Sequence, residues 1–236
     1  AQTTWPERPV RLIVGFTAGS ATDVTARLFA QKYSDAWGQP VVVENVAGNS
    51  GAIGVDRVAK SAPDGYTLMW AANAALTVLP SLQRLPFDPL KDLAPMGIAL
   101  SMPSVFLANK DFPARNIQEL VAYAKANPGK VSYGVTSLRR SANAPDLPTL
   151  VEQGFPDFEA ASWFGPMAPA GTAPGIVAKA HATTMAILAD PETRRRVGEL
   201  GLDIVAGTPE QMHATIAADI PKWAKVIADA GIKPGG

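Results

Sequence analysis

Cysteine is absent from the 236 residues, which excludes disulfides, thiolate metal sites and cysteine nucleophiles. Histidine is scarce: His181 and His213 are the only two, too few to assemble a zinc site by themselves. Neither charge is in excess, since Lys plus Arg and Asp plus Glu number 21 each, so no overall field draws the chain toward nucleic acid, an anionic membrane or a polycation. Long apolar runs are also missing: the longest, Ser61 to Leu82, is broken by Asp64, Gly65, Asn73 and Pro80, and nothing reads as inserted in a membrane. There is no phosphate-loop ending of Lys-Ser/Thr, no Gly-x-Gly-x-x-Gly spacing in the first loop and no Gly-x-Ser-x-Gly elbow, so neither nucleotide binding nor serine hydrolysis has a carrier. The sequence calls for no cofactor and no metal.

What is present is an ordinary globular composition, 47% hydrophobic, in a chain long enough for two modest lobes. The opening Ala1-Gln2-Thr3-Thr4-Trp5-Pro6 reads as the polar arm left after a signal peptide has been removed, an expectation of secretion.

Val10 to Phe16 is a β-branched strand. A small-residue loop follows, and then Val24, Leu28, Phe29, Tyr33 and Trp37 at helical spacing with Gly38 as the stop. The unit repeats: strand Pro40 to Val46, a Gly/Asn/Ser loop, and a short helix over Ala52 to Lys60. A third, nearly all-apolar strand runs from Tyr66 to Ala71, as a strand covered on both faces requires. Strands alternating with helices predict an α/β fold with a parallel, doubly wound sheet. The proline-rich stretch Pro80 to Pro95 reads as a surface connection into a second lobe. There, a strand at Ser104 to Ala108, a helix opened by Asn116 with Glu119, and a strand at Val131 to Gly134 are expected, whereas Val135 to Pro148 shows neither period. Asp190-Pro191 and Thr208-Pro209 open the closing helices, Gly201 and Gly231 stop them, and the last helix, through Trp223 and Ile227, is expected to pack back on the first lobe. His181 and His213 fall on helices, where packed or solvated histidines are the ordinary case, and Arg194 to Arg196 read as a solvated face.

Ligands of open parallel sheets bind beyond the carboxyl ends of the strands, which selects the loops Thr17 to Asp23, Ala47 to Gly51 and Ala72 to Thr77. The first also opens a helix, capped by Ser20 or Thr22, whose unpaired N–H groups favour an anion. Asp23 either reaches back to Ser20 in a capping box or holds a ligand's ammonium, hydroxyl or bridging water. Asn73 is either a turn residue or an amide that bonds ligand or water.

Val14-Gly15-Phe16-Thr17-Ala18-Gly19-Ser20-Ala21-Thr22-Asp23 resembles the "PFAPGGxTD" loop of the Bug family, the solute receptors of tripartite tricarboxylate transporters. Gln39 to Asn45 with Gly48, Gly51, Ile53 and Gly54 resembles the family's "GQPVVVENxxGAGGxIG" segment. Ala62 to Leu68 is similar to "APDGYTL", Tyr123 to Lys130 to "YAKANPGK", and Ser162 to Gly165 with Ala168 to Thr172 to "SWFGxxAPAGTP". These strings run in family order along the chain.

The resemblance implies a two-lobed venus-flytrap fold of periplasmic binding proteins, with lobe I over 1–102 and 164–236 and lobe II over 103–163. It implies a receptor that performs no chemistry, captures a small organic carboxylate in the periplasm as a monomer and hands it to membrane transporter subunits. Phe16, Thr17, Gly19, Ser20, Ala21, Thr22 and Asp23, with Asn73, Ala74 and Ala75, would supply the first lobe's contacts. Two departures stand out. Ala18 and Ser20 replace a proline and a glycine of the usual loop. Between Gly134 and Val135 the chain passes directly from one family segment to a later one, omitting several tens of residues and leaving lobe II incomplete. That omission keeps a second expectation open, a sensory or interaction protein of the same fold with no transport role.

Overall fold

The computed structural model describes residues 4–102, 111–128 and 161–233. The chain divides into two compact units, one of Ala1–Leu100, Trp163–Arg194 and Ile204–Gly236, the other of Ser101–Ser162 with Arg195–Asp203.

In the first unit, strand β1 (Val10–Val14) leads to helix α1 (Ala21–Trp37), β2 (Val41–Asn45) to α2 (Ala52–Ala59), and β3 (Thr67–Ala72) to two irregular helical turns, Ala74–Val78 and Leu79–Ser81. β1 pairs in parallel with β2 on one side, Val10 opposite Val41, and with β3 on the other, Arg11 opposite Thr67. Such a central strand needs apolar residues on both faces, and β1 and β3 have them. The remaining elements are β4 (Leu93–Pro95), β5 (Leu100–Met102), α3 (Ile117–Ala126), β6 (Ser162–Pro169), α4 (Pro174–Ala189), α5 (Pro191–Glu199), β7 (Asp203–Ile204) and α6 (Pro209–Asp229). Strand order is β2-β1-β3-β6-β5-β7, with β4 also on β6.

The sheet is not parallel throughout. β6 re-enters at the carboxyl end of β3, Phe164 opposite Ala72, and therefore runs antiparallel to it down to the pair Met167–Met69. Helices still cover both faces. On one, the Trp70 and Phe29 rings meet tilted, centroids 4.4 Å apart, and α1 is tied to α4 by the bonds Tyr33 Oη to Thr184 Oγ1 at 2.6 Å and Trp37 Nε1–H to Thr183 Oγ1 at 3.0 Å. On the other, Ile13 and Met69 pack with Val55 and Val58 of α2, Leu76 and Leu79, and Met212 and Ile216 of α6.

Two expectations are corrected. The inward stripe of α1 does not include Val24, which is 38% exposed; it runs through Thr22, Thr25, Ala26, Phe29 and Tyr33. Threonines bonded within the helix can face inward, and an apolar count passes them over. The Pro80 to Pro95 stretch is not a surface connection between lobes. Phe87 and Leu93 are buried in the first unit's core, Leu82, Leu85 and Leu90 pack against it, and β4 pairs with β6. The prolines break the periodicity by which those leucines would have been recognised as core.

Caps fall where the sequence places them. Ser20 accepts from the Asp23 N–H, Asp190 from Thr193, and Thr208 forms a reciprocal box with Gln211. In the second unit, Asn116 Oδ1 accepts from the Glu119 N–H at 2.9 Å, Glu119 reaches back to the Arg115 N–H at 2.7 Å, and the Phe112 and Tyr123 rings meet edge to face at 5.2 Å. Ser104 to Ala108, Val131 to Gly134, Val135 to Pro148 and the 134–135 junction lie outside the described residues.

Candidate functional site

Three loops leave the carboxyl ends of β1, β2 and β3, and glycine lets their backbones touch. A Cβ on Gly15 would stand 2.8 Å from both Cα and O of Gly51, and one on Gly54 would stand 2.9 Å from Gly15 Cα. Gly51 in turn has the Phe16 ring and the Ala75 methyl beside it, at 3.1 and 3.7 Å from an added Cβ. The second loop reaches this position through an uncommon backbone: Gly48, Asn49, Ser50 and Gly51 have φ of 139°, 47°, 50° and 96°. Two non-glycine residues in left-handed conformation cost about 1–2 kcal/mol each, a strain retained only where the surroundings impose it. In the third loop the Asn73 carbonyl accepts from the Leu76 and Thr77 N–H groups, both at 2.9 Å, and turns the chain.

The first loop is the exposed one. Thr17, Ala18, Gly19 and Ala21 face solvent, Phe16 and Ser20 are half-buried, and Thr22 and Asp23 are buried. A helix leaves its first four N–H groups without intrahelical acceptors. In α1 the Asp23 N–H goes to Ser20 Oγ at 3.2 Å and the Val24 N–H to the Ser20 carbonyl at 2.9 Å. The Ala21 and Thr22 N–H groups then remain as donors without an acceptor among the described residues, at the positive end of the helix dipole. The turn is fixed from within: the Thr25 hydroxyl shares its one proton between the Ala21 and Thr22 carbonyls and accepts from the Trp70 indole N–H at 3.0 Å.

Asp23 lies beneath this loop, not in a box with the Ser20 N–H. Its carboxylate accepts from the Gly19 N–H at 2.9 Å, from Arg27 Nε at 3.1 and 3.0 Å, and from Asn45 Nδ2 at 2.8 Å. Burial pushes the carboxyl up, but the bonds from Arg27, the Gly19 N–H and Asn45 outweigh it and hold Asp23 below the ordinary aspartate value. Asn45 also donates to the Phe16 carbonyl at 2.9 Å, and its own Oδ1 accepts from Arg27 Nη2 at 3.1 Å.

The expected residues thus separate. Thr17, Gly19, Ser20 and Ala21 sit on the exposed loop with Phe16 at its base. Thr22, Asn73 and Ala75 are buried, and Ala74 is half-buried. Sequence reasoning passed over Arg27 and Asn45, although Arg27 stands four residues after Asp23 on a helix, the spacing of an ion pair. It also passed over Trp163. Next to the Ala72–Phe164 pair, at the same end of the sheet, that indole N–H is 5% exposed by residue and has no acceptor among the described residues. His181 is a packed helix histidine whose Nδ1 lies 2.9 Å from the Met96 carbonyl, and His213 is exposed. Among the described residues no cluster of three metal-ligating side chains occurs, and no helix is long and apolar enough to cross a membrane.

The chain is similar throughout to proteins of one kind. It is 30% identical over 301 residues to protein BugT of Bordetella pertussis, covering 98% of this chain and 91% of BugT. The periplasmic binding protein BugD is 30% identical with a TM-score of 0.81, over 97% of this chain and 99% of that one. R. palustris Rpa4515, solved with adipate, is 27% identical with a TM-score of 0.83, over 98% and 100%. The chain therefore has the α/β fold of a periplasmic binding protein. Its second lobe is incomplete beside these relatives. As 98% of 236 residues is about 231, about 70 of the 301 positions aligned with BugT have no counterpart here. The family model for tripartite tricarboxylate transporter family receptors matches in two passes, residues 25–139 and 134–232, which meet where the sequence skips. Together these matches span nearly the whole chain, and it belongs to the tripartite tricarboxylate transporter receptor family.

Proposed function

We propose that this chain is a periplasmic receptor that captures a small organic carboxylate for a tripartite tricarboxylate transporter and performs no chemistry on it. The observation that carries the proposal is the pair of Ala21 and Thr22 N–H groups at the start of a helix whose first-turn carboxylate, Asp23, is already taken up by donors of its own. A carboxylate accepts two parallel N–H bonds and gains from the helix dipole. Membership of a receptor family and the adipate in Rpa4515 support the ligand class. On this reading Phe16, Thr17, Gly19, Ser20, Ala21 and Thr22 meet the acid, mainly through the backbone. Asp23 acts through the loop, and Asn73, Ala74 and Ala75 form the adjoining wall.

The test is thermal unfolding followed by tryptophan fluorescence with adipate, succinate, citrate and benzoate added in turn. An acid at a hundred times its dissociation constant adds about 2.7 kcal/mol, which for a body of this size raises the midpoint by roughly 5–11 °C. If none of the four acids moves the midpoint at millimolar concentration, the receptor reading falls. The shortfall of about 70 family positions favours one second reading, a sensory or interaction protein of the same fold, and that reading gains from a folded chain that takes no acid.

A further inference from the structure

We infer that Asn45 is a positioning residue of the proposed carboxylate site: from the end of a neighbouring strand it clamps the Phe16–Ser20 loop and so sets the direction of the Ala21 and Thr22 amides. The inference rests on the receptor reading. Asn45 closes β2, which pairs only with β1 among the described strands, and the residue is half-buried. Its side chain has no part in the core, yet all three of its strongest bonding directions are in use. One Nδ2 hydrogen goes to the Phe16 carbonyl at 2.9 Å, where the loop begins, and the other to Asp23 Oδ1 at 2.8 Å. Asp23 Oδ2 in turn accepts from the Gly19 N–H at 2.9 Å, at the loop's apex. One amide therefore holds the loop at its start directly and at its apex through Asp23. The partners also fix which way the amide points: two acceptors must face its NH2, and the guanidinium must face its oxygen.

The same amide governs charge. An ionised Asp23 in the same helical turn as these amides repels an incoming carboxylate unless its charge is covered. Arg27 covers it at 3.0 Å, although 53% of the Arg27 side chain is exposed. Asn45 Oδ1 accepts from Arg27 Nη2 and keeps the guanidinium in that place. Replacing Asn45 by alanine leaves the Phe16 carbonyl and Asp23 each short of a donor and takes from Arg27 its second acceptor, so that the guanidinium is held by Asp23 alone. Replacing it by aspartate keeps the shape, turns the donor into an acceptor and sets a second carboxylate against Asp23.

The experiment uses the whole chain as wild type, Asn45→Ala and Asn45→Asp. Amide spectra and hydrogen exchange are recorded without added acid, and adipate, succinate, citrate and benzoate are then titrated calorimetrically. In both variants the Gly19, Ala21 and Thr22 amides are expected to shift and to exchange at least tenfold faster, while amides of β1 and β3 and the tryptophan-detected melting hold. Affinity for whichever acid the wild type takes falls at least tenfold in Asn45→Ala and further in Asn45→Asp. Loop amides and affinity unchanged in Asn45→Ala would overturn the inference. If the wild type takes none of the four acids, it is the receptor reading that falls, and the loop amides alone decide what Asn45 does.

Discussion

Replacing Gly15 by alanine is the most direct probe of how the three loops are assembled. The added methyl would stand 2.8 Å from Cα and O of Gly51, where ordinary contact begins near 3.4 Å, so the two backbones must part by about 0.6 Å. Both obstructing atoms are main chain, and Gly51 is itself flanked by the Phe16 ring and Ala75, so no flexible side chain can swing away. Overpacking of this kind costs roughly 1–3 kcal/mol, and the stiffer unfolded chain returns about 0.4–1 kcal/mol. The net loss of about 1–2 kcal/mol lowers the midpoint by roughly 2–8 °C. All five tryptophans, Trp5, Trp37, Trp70, Trp163 and Trp223, belong to the first unit, so indole fluorescence reports that unit alone. Gly54→Ala presses on the same seam from the other side, at 2.9 Å from Gly15 Cα, and the double variant should therefore lose less than the sum of the single losses. A Gly15→Ala midpoint equal to or above the wild type, or strict additivity in the double variant, would refute the seam.

Phe87→Ala should cost about 3 kcal/mol, as for a buried core phenylalanine, whereas a residue on a surface connection would lose almost nothing. The same fluorescence melt decides between them. Asp190 is held down to about 2 by its hydrogen bond from Lys32 and by those from Thr193. Its folded value lies below the unfolded one of about 3.9, so the stability it contributes is present above pH 4 and disappears as pH falls toward 2. Asp190→Asn should be less stable than wild type at neutral pH, with the two curves converging near pH 2; a difference that persists there would point to a cause other than charge.

The strand-loop-helix units, the caps at Ser20, Asn116, Asp190 and Thr208, and the loops at the carboxyl ends of the strands were legible because each is written locally, in periodicity and capping chemistry. Proline hid the core role of Pro80 to Pro95, since it removed the regular spacing while Phe87 and Leu93 still faced inward. The direction of β6 was illegible for another reason: whether it runs with or against β3 depends on where the chain re-enters, and no residue in Ser162–Pro169 states that. At the site, the exposed loop was found from its composition. Its supports were not, because Asn45 sits 22 residues from Asp23 and an asparagine ending a strand reads as an ordinary turn residue. Arg27 was within reach of a spacing argument. The saturated state of Asp23 required knowing all of its donors at once.

The antiparallel β6 makes the second unit, in topological terms, an insertion. The first unit leaves off after Leu100 and resumes at Trp163, with a second, short excursion between Arg194 and Ile204, so the long excursion bears on it chiefly through its two ends being brought together. The closure penalty for such an excursion grows with the logarithm of its length. Restoring about 70 residues to an insert of about 60 would roughly double it, a change of only about 0.6 kcal/mol in closure entropy. The first unit, which holds every residue of the proposed site, is therefore nearly indifferent in closure entropy to how much of its partner lobe the chain encodes, and the proposed surface does not depend on the length of that insert.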